Sequence, residues 1–229
     1  MDHPYRLIVF DFDGTLVDSR AVIVRAMADG FAEAGLAPPS AAAVLRVVGL
    51  TLEIAIGRLL PESCGDDMIP AVAEAYRRSF FAQRTRPDFS EPLIAGAREV
   101  LRVLDRPEVC LAIATGKARR GLVACLEHHG LTHHFATLQT PDNAPGKPHP
   151  GMVCQAMAEV GAAPGETVVI GDTVFDMEMA LNAGAWAIGV SWGYHEPDEL
   201  LAAGASLVLD SFDDLPAALA GLGAGGSMR

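Results

Sequence analysis

The sequence predicts an α/β fold: a doubly wound parallel sheet with an α-helical cap domain inserted near its start. Three observations carry that prediction. Short aliphatic runs recur at 7–10, 109–114, 167–170, 187–190 and 206–209, nearly continuous rather than alternating, as strands covered on both faces of a parallel sheet require. Segments with helical apolar spacing follow them, at 94–104, 118–129, 151–160, 175–183, 196–203 and 212–220, and strand followed by helix, repeated, is the pattern of a wound sheet. The connection after the first run reads as helical throughout and far exceeds the roughly dozen residues that a crossover needs.

Within that long connection, 21–34 has apolar residues at helical spacing, and Gly35 is a natural stop. Shorter helical pieces at 41–48 and 52–60 are separated at Gly49, with Thr51 placed as an N-cap, and 71–81 completes the set. The insertion is bounded at 16–89, with Pro87 and Pro92 marking its return, so 1–15 and 90–229 form the core domain. The Gly-Leu-Gly-Ala-Gly-Gly run at 221–226 reads as a frayed tail.

A chain of 229 residues, 50% hydrophobic and 20% charged, is long and apolar enough for one sizeable core carrying an insertion. Its net charge of −12 argues against a nucleic-acid partner, because phosphate backbones need a basic face. A small anionic substrate stays possible, since a local cationic pocket overrides the global field. Cys64, Cys110, Cys125 and Cys154 include no C-x-x-C pair and read as buried, reduced thiols. The opening MDHPYR lacks a signal pattern, and no apolar run approaches the ~20 residues that span a bilayer. A soluble, cytoplasmic protein with no membrane partner is expected.

In open α/β sheets ligands bind beyond the carboxyl ends of the strands. Asp11 and Asp13 follow the first run; Thr115, Gly116 and Lys117 follow the second. Gly146-Lys147-Pro148 precedes a helix, and Gly171, Asp172 and Asp176 follow 167–170. Singly, each has an ordinary structural reading: acids in a loop, a strand-to-helix turn, a solvated lysine, acids favouring a helix start. Their convergence on one sheet edge has none. Acids this close repel unless something positive sits between them. Hard carboxylate oxygens with few basic partners suit Mg²⁺, which keeps several waters and takes one or two carboxylates plus a substrate phosphate. Thr115 and Gly116 can offer a hydroxyl and an N–H to phosphate, and Lys147 a point charge.

The ordered set DFDGTLVDS, IATGK, GKPHP and GDTVFDMEMA resembles the haloacid dehalogenase superfamily of phosphohydrolases, and within it the phosphoglycolate-phosphatase-like group with a helical cap after the first motif. The resemblance implies a Rossmann-like core, with Asp11 as nucleophile and Asp13 as general acid/base. It implies Thr115 as a phosphate ligand and Lys147 as the cation joining nucleophile and phosphate. Mg²⁺ would take the Asp11 carboxylate, the Asp13 backbone carbonyl and Asp172, with Asp176 orienting Lys147 or a metal-bound water. Gly116 and Gly146 depart from the pattern, standing where many relatives have Asn and Ser. In capped relatives the loop corresponding to Gly49 faces the site, which implies Arg46, Leu50 or Thr51 near the leaving group.

The expected function is therefore Mg²⁺-dependent hydrolysis of a small phosphorylated metabolite, phosphoglycolate being the leading choice, by a monomer or homodimer. A phosphosugar mutase of the β-phosphoglucomutase kind and an inorganic pyrophosphatase remain alternatives. A non-enzymatic module is disfavoured because every chemical residue is present. Carbon–halogen displacement is disfavoured because a halide needs no acid such as Asp13. His195 is expected to be structural or at the rim.

Overall fold

In this computed structural model residues 3–86 and 89–225 are described, so Pro87 lies outside the described residues. Six strands form one parallel sheet: β1 (Leu7–Phe10), β2 (Cys110–Ala114), β3 (Phe135–Gln139), β4 (Thr167–Gly171), β5 (Trp186–Val190) and β6 (Leu207–Leu209). Their order is β3-β2-β1-β4-β5-β6. The winding direction reverses between β1 and β4, and the crevice at such a switch point is where α/β sheets bind ligands.

Alternation along β1 explains its unbroken apolar run. Ile8 and Phe10 join one core cluster with Leu101, Leu104, Leu122, Leu126 and Leu219. These come from α5 (Ala97–Leu104), α6 (Arg119–His129) and α10 (Leu215–Gly225). Leu7 and Val9 join a second cluster with Met152, Val153, Met177, Ala180 and Leu200, from α7 (Gly151–Val160), α8 (Val174–Asn182) and α9 (Pro197–Ala202). Helices thus cover both faces, as a parallel sheet demands.

The long connection forms α1 (Arg20–Glu33), α2 (Ala41–Leu45), α3 (Leu52–Leu59) and α4 (Ile69–Arg84). They have their own core, built around Ile23, Met27, Phe31, Ile56, Val72 and Phe80. The outgoing and returning chain lie side by side: Asp18 N donates to Pro92 O at 2.9 Å, and Ile94 N to Leu16 O at 2.9 Å. Ser40 caps α2 through a 3.2 Å bond from Ala43 N. Thr51 holds the N-cap position of α3 with no side-chain bond, while Gly49 adopts a left-handed φ of 99° that turns the chain between the two helices.

Several expectations need correction. β3 was not anticipated: its sequence FATLQ mixes polar and apolar residues, because an edge strand is covered less completely. The expected helix at 41–48 ends at Leu45, and α5 starts at Ala97 rather than at 94. The glycine-rich 221–225 is not frayed but helical, the last part of α10. Leu219 and Leu222 pack against the sheet's core, and that burial overrides the glycines' low helix propensity. All four cysteines are free, but only Cys125 is buried and Cys154 is exposed.

Gly30 sets how closely α1 approaches α4. A Cβ there would stand 3.1 Å from both Tyr76 N and Val72 O, which are backbone atoms that cannot swing aside. Gly30→Leu is therefore expected to lower unfolding stability by about 1–3 kcal/mol through overpacking, read from the urea midpoint. An unchanged midpoint contradicts this packing.

Candidate active site

Phe10 is level with Ile113 of β2 and Ile170 of β4, so the residues that follow these strands emerge at one height. Asp11 N donates to Ile170 O at 2.8 Å, and Thr115 N to Gln139 O at 3.1 Å. The unanticipated β3 thus supplies the acceptor that fixes Thr115, whose buried hydroxyl takes a 3.1 Å bond from Lys117 N.

Asp11 is buried, and its Oδ1 accepts from Lys147 Nζ at 2.6 Å. Its Oδ2 has no partner among the described residues. Lys147 is wholly buried and also reaches Asp176 Oδ1 at 2.6 Å. Asp176 Oδ2 accepts from Thr173 N at 3.1 Å and Thr173 Oγ1 at 2.6 Å, which fixes it in the first turn of α8. Asp172 is gripped on both oxygens, by Thr15 Oγ1 at 2.7 Å and Tyr194 N at 2.9 Å. Asp13 Oδ1 accepts from Lys117 Nζ at 2.8 Å and from the Ser19 hydroxyl. Lys117 Nζ bonds Glu91 Oε1 at 3.0 Å as well and sits 4.8 Å from the Phe80 ring centroid.

Electrostatics at this edge are lopsided. Asp11, Asp13, Glu91, Asp172 and Asp176 are all buried, against the buried Lys147 and the nearly buried Lys117. Burial pushes Asp11 well above the usual carboxylate range; Lys147 opposes that rise, and Asp176 and Asp172 add to it. Burial, then Asp176, pushes Asp172 up to about 7. For both lysines burial disfavours the charge, but the paired carboxylates outweigh it and raise the pKa. Asp11, Asp172 and Asp176 each present an oxygen within 4.8 Å of the others. This excess of hard oxygen donors fits a small dication such as Mg²⁺.

A cavity of about 340 Å³ opens from Asp11, Asp13, Thr115, Gly116 and Lys117 towards α1, α4 and the turn between α2 and α3. Leu50 and Thr51 line it. Arg46 does not: its guanidinium makes two 2.6 Å bonds to Glu199 on α9, which turns it away from the cavity. Gly49–Thr51 is seated on the core. A Cβ at Gly116 would meet Leu50 O at 2.7 Å and Gly49 O at 2.8 Å, and one at Gly146 would collide with Thr51 Cγ2. The two departures from the family pattern are therefore two of the places where the turn rests. His195 ties the same region together. Its Nδ1 accepts from Val174 N at 3.1 Å, so its Nε2 carries the proton donated to Arg46 O at 3.2 Å.

Glu91, the second partner of Lys117, went unforeseen because a lone acid beside a proline carries no signal. Thr15, Ser19 and Tyr194 lie within or after recognised segments, but their grip on Asp172 and Asp13 depends on the fold. Removing Lys147 leaves Asp11 and Asp176 buried without their cation, and breaking a buried pair costs about 3–5 kcal/mol. Lys147→Met, unfolded by urea in chelator at neutral pH, should show a loss of that order. A loss under about 1 kcal/mol, typical of a surface pair, contradicts this arrangement.

Comparison with known proteins places the chain. Residues 8–190 match the family described as haloacid dehalogenase-like hydrolase. A protein of Dickeya dadantii named "Probable phosphatase IndB" is 35% identical over 210 residues, 91% of each chain. A phosphoglycolate phosphatase of Agrobacterium fabrum is 31% identical over 228 residues, covering 93% of this chain and 91% of that one. The crystal structure of a hydrolase from Pseudomonas syringae superposes with a TM-score of 0.81 at 27% identity, covering 93% of this chain and 96% of that one. With four motifs on one sheet edge and a match across most of its length, the chain belongs to the haloacid dehalogenase-like hydrolases.

Proposed function

We propose that the chain is a Mg²⁺-dependent phosphatase of small phosphorylated metabolites, acting through a phosphoryl group carried on Asp11. One observation carries this reading: Asp11 lines the cavity with one oxygen bonded to Lys147 and the other unpartnered. A carboxylate is a weak nucleophile, so positioning and neutralisation of charge must assist it.

In the first step Asp11 Oδ2 attacks phosphorus and the bond from phosphorus to the alcohol oxygen breaks. Asp13, protonated as the substrate enters, gives its proton to that oxygen. Oδ1 of Asp13 is engaged by Lys117 and Ser19, which leaves Oδ2 as the oxygen that transfers the proton. In the second step water attacks phosphorus, Asp13 takes a proton from the water, and the bond to Asp11 breaks to release phosphate. Thr115 Oγ1 and the Gly116 N–H bind phosphoryl oxygens. Lys147 offsets the repulsion between Asp11 and an incoming dianion, and Asp176 keeps Lys147 aimed. Asp11, Asp172 and the Asp13 backbone carbonyl would hold Mg²⁺, which supplies further neutralisation of the phosphate charge.

The helices of 16–89 serve as a cap, with the turn at Gly49–Thr51 closing the site from water and Leu50 and Thr51 near the leaving group. Similarity alone favours phosphoglycolate among possible substrates, because relatives at 31% and 29% identity bear that activity in their names.

Asp11→Asn should abolish phosphate release with the fold intact by circular dichroism, and Asp13→Asn should lower kcat by about 10²–10⁴-fold. Chelator should silence the wild type until Mg²⁺ is restored. Near-wild-type phosphate release from Asp11→Asn, or full activity in chelator, contradicts the reading.

A further inference from the structure

The geometry points to an uncharged, apolar alcohol, bearing a ring or a hydrocarbon body of similar size, as the group that this enzyme releases. The inference rests on the phosphatase reading of Asp11 and concerns only what lies beyond the phosphoryl group. Next to the catalytic acids the cavity is walled by Ile23 and Met27 of α1, Val47 and Leu50 of the turn, and Tyr76 and Phe80 of α4. The Tyr76 and Phe80 rings are stacked, 6.0 Å between centroids and 24° between planes. A volume of about 340 Å³ falls in the roughly 300–1,000 Å³ range of sites that enclose drug-sized ligands. The phosphoryl group takes the part beside Asp11 and Thr115, and the part beyond it is walled by hydrocarbon.

Charge excludes the small acids. Among the described residues lining the cavity, the cations are Lys117 and Arg77. Lys117 is held by Asp13 at 2.8 Å and by Glu91 at 3.0 Å, and freeing it would strand the buried Glu91 carboxylate. Arg77 is bonded to Glu53. Glu53 and Asp142 add negative charge to the wall. A carboxylate on the leaving group, such as glycolate carries, would enter an apolar, acid-rimmed space whose cations already have carboxylate partners. An apolar body there gains from burial against six hydrocarbon or aromatic side chains.

The test compares three primary alkyl phosphates by phosphate release: benzyl phosphate, 4-carboxybenzyl phosphate and phosphoglycolate. The expected kcat/KM for benzyl phosphate exceeds each of the others by tenfold or more. The half-buried Val48 also lines the cavity, and Val48→Lys places a cation there on a flexible stem. That variant should narrow the gap between benzyl and 4-carboxybenzyl phosphate at least fivefold. Wild-type preference for either carboxylate over benzyl phosphate overturns the inference while leaving the phosphatase reading intact. If Val48→Lys folds but leaves the ratio unmoved, the charge argument is overturned. If no phosphate is released from any ester, or Asp11→Asn releases as much as wild type, the reading of Asp11 fails and this inference fails with it.

Discussion

Everything at the site depends on how one buried ammonium is shared. Lys147 is wholly enclosed and bonded to both Asp11 and Asp176 at 2.6 Å, and Asp172 stands within reach of the same carboxylates. Buried charges are costly unless paired and hydrogen-bonded. The backbone meets that cost by design of the sheet. Parallel registers bring β1 and β4 out level with each other, and the turn into α8 supplies the two Thr173 bonds that hold Asp176. Three carboxylates around one ammonium leave the set short of positive charge. Such an excess of carboxylate over ammonium is the setting in which the proposed dication would be held.

The helical layer answers a different constraint. It has its own apolar core and is joined to the sheet by a paired two-segment neck, yet it also rests on the site through Val47, Leu50 and Ala55 packed against Phe175. Gly116 and Gly146 permit this contact because any side chain there would strike the turn. Arg46 with Glu199, and His195 with Arg46 O, pin the same turn from the outside. Close seating brings apolar side chains to the cavity that opens at Asp11, and so the backbone contact and the proposed leaving group are linked.

Much of this was legible in the residues. Strands buried on both faces announce themselves as unbroken aliphatic runs, and four polar clusters placed directly after them define the edge where chemistry occurs. β3 escaped because edge strands tolerate Thr and Gln, and α10 extended into glycines because Leu219 and Leu222 have a core to meet. Arg46 was placed near the leaving group because the resemblance sets the loop at Gly49 facing the site, but a carboxylate on α9 claims it, and only the tertiary fold reveals that partner. Glu91 illustrates the same limit: local sequence shows an acid, and only the return of the chain alongside Lys117 gives it a partner.

The central claim is that Asp11 forms a covalent bond to phosphorus. The most direct measurement is an acid quench during steady turnover, followed by mass analysis of the peptide containing 6–20. The account predicts one phosphoryl group on that peptide, localised to Asp11, and its absence when substrate is omitted. A phosphoryl group on another residue, or turnover with no trace of phosphorylated peptide under conditions that preserve acyl phosphates, would contradict it.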